Sequence, residues 1–112
     1  MTENRINAYR IMWLLVMFDL PTVTKTERKK SAKFRKELEK DGFAMMQFSV
    51  YIRYCASLES ANVHIKRVRG MCPDKGKISI LTVTDKQYSN IINIWGAIEK
   101  KTKPAPMQLE FF

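Results

Sequence analysis

The chain has 112 residues, enough for one domain with a real core and too few for two, and its 46% hydrophobic and 28% charged residues suit an ordinary globular protein. No run approaches the roughly 18 apolar residues of a membrane span, and the N-terminus lacks a secretory pattern, so the cytoplasm and no membrane partner are expected; two cysteines and one histidine exclude a disulfide framework and a four-ligand zinc site. Twenty Lys and Arg against eleven Asp and Glu leave a net charge of +9, which points to a polyanionic partner, nucleic acid first.

The first predicted element is the apolar run from Ile11 to Phe18, "IMWLLVMF". Its β-branched and aromatic content and the stop at Pro21 favour a central strand buried on both faces over a short buried helix. Asp19 then follows just past the strand, in "VMFDLP". Thr24 to Asp41 reads as a helix: "TKTE" is a capping box with Thr24 as N-cap and Glu27 reaching back, and Gly42 supplies the stop. The apolar stripe Ser31, Phe34 and Leu38 is narrow, and Lys25, Arg28, Lys29, Lys30, Lys33, Arg35, Lys36 and Lys40 fill the remaining faces.

"FAMMQFSVYIRYC", Phe43 to Cys55, is too long for one strand and is split near Gln47 to Ser49 into two short strands or a bent ribbon. A second helix starts near Leu58 with Ser57 as cap, repeats Leu58, Ala61, Ile65, Val68 and Cys72 at helical spacing, and ends at Pro73. "KISILTVT", Lys77 to Thr84, is a strand, and "TDKQ" is a capping box opening a short helix in which Tyr88, Ile91, Ile92 and Trp95 share a face. Residues 1–96 are then one domain, and residues 97–112 a linker followed by the strand-like "MQLEFF", which needs a sheet edge to join.

This order predicts an α+β, ferredoxin-like βαββαβ fold with an antiparallel four-stranded sheet and both main helices on one face. The other face is left with Val, Ile and aromatic residues uncovered, so a homodimer with sheets packed face to face is expected.

Few chemistries fit these residues. The single His64 sits among basic neighbours and reads as a solvated or phosphate-contacting imidazole, and the four scattered glycines form no phosphate loop. Asp19 admits two readings. It is a turn-opening Asp before Leu20 and Pro21, or a carboxylate at a strand end beside a helix N-terminus, where hard cations and phosphates are met. One carboxylate cannot hold Mg²⁺ alone, but a two-fold dimer supplies Asp19 twice.

"LLVMFDLPTVTKTERK", "GFAMMQFSVYIRYC" and "TDKQY" together resemble the CRISPR-associated Cas2 family, the small subunit of the spacer-acquisition machinery, from about Tyr9 to Phe112. "FDLP" and "QFSVY" are the most specific elements; "CASLESANVHIKRVRG", "TDKQY" and "QLEFF" resemble members from systems with a single large Cas9-type effector. The resemblance implies a ferredoxin-like homodimer that binds duplex DNA and bridges dimers of the Cas1 integrase subunit. It also implies that Asp19 matches a metal-associated aspartate linked to Mg²⁺-dependent endonuclease activity on RNA or DNA, that Phe48 and Ser49 lie near the dimer interface and the Asp19 site, and that Arg28 is a recurrent basic position.

Two main functions follow. In the first, the protein is a scaffold whose Lys25, Arg28, Lys29, Lys33, Lys36, Arg53, Arg67 and Arg69 contact phosphates without reading bases. In the second, a pair of Asp19 carboxylates runs a Mg²⁺-dependent endonuclease. A stand-alone ribonuclease toxin of the VapD type on the same fold is the alternative, and a small-molecule regulatory module finds no ligand motif here.

Overall fold

The computed structural model describes residues 11–102. Strand β1 (Met12–Asp19) lies at the centre of a four-stranded antiparallel sheet with β2 (Ala44–Gln47), β3 (Val50–Cys55) and β4 (Lys77–Thr84), in the order β2-β3-β1-β4. Helices α1 (Lys25–Lys40) and α2 (Leu58–Met71) form the two crossovers, which completes the predicted ferredoxin-like arrangement. The nearly unbroken apolar run of β1 is explained by its two flanks: Leu15 faces Ile52 on one side and Leu81 on the other.

Alternation along β1 feeds two cores. Met12, Leu14, Val16 and Phe18 pack with Phe34 and Leu38 of α1, Ala61 and Val68 of α2, and Phe43, Tyr51 and Cys55. Both helices start as the sequence predicts. Thr24 accepts from the Glu27 backbone N–H while the Glu27 carboxylate accepts from the Thr24 backbone N–H, and Ser57 accepts from the Ser60 backbone N–H.

Five expectations need correction. Asp19 does not lie past the strand; it is the last residue of β1, opposite Lys77 of β4, because β4 runs long enough to pair it. Leu58 is half exposed, and His64 takes a place in the buried stripe of α2 with Ala61 and Val68. The second sheet face is not left open over its whole extent, since a short helix α3 (Asp85–Ser89) lays Tyr88 on Trp13 with ring centroids 3.7 Å apart and planes 12° from parallel. The Trp13 indole N–H donates to Asp85 Oδ1 at 2.8 Å, which removes the cost of burying it.

Helix α3 also stops at Ser89, so Ile92 and Trp95 do not share its face. The chain instead turns into a two-stranded hairpin, β5 (Asn93–Trp95) and β6 (Ile98–Lys100), through Gly96 and Ala97, both with positive φ. This hairpin and β2 border a groove of about 740 Å³ lined by Met45, Ile52, Ile92, Ile94 and Trp95. The proposed C-terminal strand, residues 107–112, lies outside the described residues.

Candidate functional site

Asp19 is held from three directions by backbone. Its own strand pairs with β4, and the adjacent Phe18 N–H donates to the Ser49 carbonyl at 3.0 Å, tying the bend between β2 and β3 to the end of β1. On the third side is Gly76, whose φ of +94° suits glycine and whose missing Cβ would stand 2.7 Å from the Asp19 carbonyl oxygen. The side chain itself is exposed. The break at Phe48 and Ser49 thus falls where the sequence places it, and the fold brings this bend to the Asp19 end of the sheet.

A residue that the sequence reading left out of the site joins these parts. The Arg35 guanidinium lies 4.9 Å from the centroid of Phe18 and 3.8 Å from that of Phe48, and it donates to the Phe48 carbonyl oxygen. Arg35 sits among lysines on α1 and looks like one more surface charge. The only signal in the sequence was its place one residue after the buried Phe34.

The fit of Mg²⁺ can be tested on the donors. Asp19 offers hard carboxylate oxygens in solvent, the ligand type this ion prefers, and among the described residues no group of three or more His, Cys, Asp or Glu could hold a metal. A single exposed carboxylate is a donor that would suit an ion keeping most of its water shell.

The basic residues divide by residue type. Lys25, Lys29, Lys33, Lys36 and Lys40 are exposed. At 3.6 residues per turn they share an arc of about 80°, opposite the buried Ser31, Phe34 and Leu38, along roughly 22 Å of helix axis. Lys30 is off this stripe and pairs with Asp74 at 2.9 Å, which holds the Asp74 carboxyl below its ordinary range. Arg69 is exposed on α2.

The candidate arginines Arg28, Arg53 and Arg67 are occupied by protein acceptors. Arg28 donates to the carbonyls of Thr22 and Val23 at 3.2 and 2.8 Å, closing the turn before α1. Arg53 is partly buried and donates to the carbonyls of Asp41 and Tyr54 at 2.8 and 2.6 Å, with its guanidinium over Gly42. Its guanidinium is thus engaged within the protein, where the acceptors at the end of α1 need a donor. Arg67 keeps 57% of its side chain exposed while donating to Asp41 Oδ1 at 2.9 Å, so it can still meet solvent.

The other Asp41 oxygen stands 2.6 Å from His64 Nδ1, and both side chains are 8% exposed. His64 is thus neither solvated nor phosphate-facing. Its polarity hid it from the apolar pattern, and the Asp41 carboxylate across the helix packing makes its burial acceptable. Among the described residues no buried side-chain nitrogen or oxygen lacks a partner.

Comparison with known proteins agrees with this architecture. Residues 12–91 match the family model described as CRISPR associated protein Cas2. A "CRISPR-associated endoribonuclease Cas2" of Flavobacterium psychrophilum is 50% identical over 109 residues, 97% of this chain and 95% of the relative. One from Parvibaculum lavamentivorans is 48% identical over 101 residues, 90% of this chain and all of the relative, and one from Streptococcus mutans is 39% identical over 100 residues, 89% and 92% of the two chains. With most of its length matched by the family model and by relatives at this identity, and with "FDLP" and "QFSVY" meeting at one end of a ferredoxin-like sheet, the chain belongs to the CRISPR-associated Cas2 family.

Proposed function

We propose that the protein is a homodimeric CRISPR adaptation factor that binds duplex DNA through phosphates and scaffolds the Cas1 integrase in spacer acquisition, with a Mg²⁺-dependent endonuclease capability at Asp19. The observation that carries the DNA-binding reading is the exposed stripe Lys25, Lys29, Lys33, Lys36 and Lys40, with Arg69 and the exposed part of Arg67 as further contacts. A straight row of ammonium groups, strongly hydrated point charges, suits phosphates and carries no base-reading geometry. Its length corresponds to about six base-pair steps of a duplex.

Endonuclease capability rests on the relatives' name and on the setting of Asp19. Asp19 and its counterpart in a two-fold dimer would hold the ion between them. Bound there, Mg²⁺ supplies charge for a phosphoryl transition state and lowers the pKa of a water. The chain's own part is positional: Gly76 lets β4 approach, the Phe18–Ser49 bond fixes the bend, and Lys77 opposite Asp19 adds a cation near an incoming phosphate. A stand-alone ribonuclease toxin of the VapD type would share the fold, but the family match over residues 12–91 argues against it.

Asp19→Asn tests the division. The variant should lose Mg²⁺-dependent cleavage of RNA and DNA while keeping DNA affinity and supporting spacer acquisition in cells with Cas1. Cleavage equal to the parent's removes Asp19 from catalysis, and loss of acquisition with DNA binding intact overturns the scaffold reading.

A further inference from the structure

Alternation along β1 sends Phe18 into the helix-covered core, with Ile78 and Ile80 of β4, and turns Asp19 to the other face of the sheet. Lys77 stands directly opposite Asp19 in the β1–β4 register. Residues opposite each other in an antiparallel pair share a face, with Cβ atoms roughly 4.5–5.5 Å apart. Both side chains are exposed. Carboxylate and ammonium nevertheless do not close on each other: among the described residues, no ion pair or hydrogen bond involves either side chain. Their neighbours on that face, Met17, Val50 and Ser79, carry no charge. Lys75, two residues earlier, lines a cleft with Glu27 and Lys30 beside α1 instead.

The Asp19–Lys77 pair thus has no net charge, and two copies of it in the proposed dimer still have none. A neutral site attracts a divalent cation weakly until an anion joins it. A phosphodiester is such an anion, and its oxygens are ligands that Mg²⁺ readily shares with one or two carboxylates. We infer that Lys77 is a catalytic residue of the Asp19 site: its ammonium binds a non-bridging oxygen of the scissile phosphate, and without substrate it keeps Asp19 from holding a divalent cation. Phosphate relieves the repulsion, so nucleic acid and metal load together, each favouring the other.

The first half of this inference rests on the proposed endonuclease reading, whereas the second needs only the two side chains. The competing role for Lys77 is a surface charge that shields Asp19. The two roles differ in sign, because removing a shield speeds cleavage and removing a phosphate ligand slows it.

The test is Mn²⁺ titration of the substrate-free full chain, read by loss of the free-ion electron paramagnetic resonance signal, alongside Mg²⁺-dependent cleavage of RNA and DNA. Lys77 is an exposed strand-end residue, so its replacement leaves the core intact. A unit charge one cross-strand neighbour away repels a divalent ion enough to change its affinity about 3- to 10-fold at low salt, so Lys77→Gln should tighten Mn²⁺ binding by that factor. Lys77→Arg and Lys75→Gln should stay within about twofold of the parent, and adding Asp19→Asn to Lys77→Gln should abolish the gain. In cleavage, Lys77→Gln should lower kcat by at least about 10-fold, and Lys77→Arg should recover most of it. Unchanged Mn²⁺ affinity in Lys77→Gln, an equal gain in Lys75→Gln, or a gain that survives Asp19→Asn would each overturn the inference. So would cleavage by Lys77→Gln at or above the parent's rate. A parent that cleaves neither substrate would sink the endonuclease reading instead, and the Mn²⁺ titration would still decide whether Lys77 governs metal at Asp19.

Discussion

Neutralising the α1 stripe is the most direct perturbation of DNA binding. Lys25, Lys29, Lys33 and Lys36 occupy one arc of the helix, with side chains in solvent and the buried stripe on the far side, so changing all four to Gln removes charge without opening the core. Gln is also a good helix former, which keeps α1 intact. Each lost phosphate contact lowers the slope of log K against log salt by about 0.9, so four contacts per protomer are worth up to about 3.6, and two of the four touching DNA at once about 1.8. Extrapolated to a 1 M reference, at 0.1 M salt this is a fall of roughly two to four decades in affinity per protomer engaged. The assay is duplex binding by fluorescence anisotropy across a salt series, with Tm measured alongside. Arg53→Gln is the internal control: its guanidinium is spent on the Asp41 and Tyr54 carbonyls, so it should lower Tm and leave the salt slope unchanged. A quadruple variant with the parent's slope, or an Arg53→Gln variant with a reduced slope and unchanged Tm, would refute the assignment of DNA contact to the lysines and cohesion to that arginine.

Other outcomes follow from the packing. Gly76→Ala places a Cβ against the Asp19 carbonyl in a left-handed backbone, so it should cost at least about 1–2 kcal/mol and reduce cleavage with it; an unchanged Tm would deny the close approach. Asp85→Ala strands the buried Trp13 indole N–H, at about 1–3 kcal/mol, read as a Tm drop of several degrees; a Tm within a degree of the parent's would mean that the indole has another acceptor. The Thr24 backbone N–H holds the Glu27 carboxyl below its ordinary value, so the capping contribution is present above the unfolded pKa near 4.3 and is lost as pH falls through the lower folded one. Replacing Glu27 with Gln should therefore flatten the acid limb of the stability curve, and an identical acid limb would show that the box does not titrate. Burial pushes both thiols up, and Cys55 is fully enclosed while Cys72 is exposed, so iodoacetamide should modify Cys72 first in the native protein; equal rates would place Cys55 in solvent.

The fold was legible because its signals are local. Capping boxes at Thr24 and Thr84, the Gly42 stop, the unbroken apolarity of β1 and the double-length ribbon from Phe43 each dictate an element with its neighbours in sequence. The elements that escaped depend on contacts distant in sequence. Trp13 recruits Tyr88 from 75 positions away onto the second face, and the hairpin around Gly96 is too short for period-two alternation to stand out. The site was legible in outline through Asp19 and the "QFSVY" bend. Which cations are free was not, since that turns on the acceptors facing each one: Asp41 claims His64 and Arg67 from a helix and, through its carbonyl, Arg53 from a strand.

The division between residue types also separates two properties that a strongly basic protein usually mixes. Cohesion runs through guanidinium groups, as Arg28, Arg35, Arg53 and Arg67 each donate to a protein acceptor, while the α1 stripe that faces solvent is built of lysine. Acetylation of the stripe lysines thus acts on the surface potential alone, and grading its extent would tune attraction to a polyanion while the architecture stays intact. The same molecule is in this sense a rheostat for charge mounted on a frame indifferent to the setting.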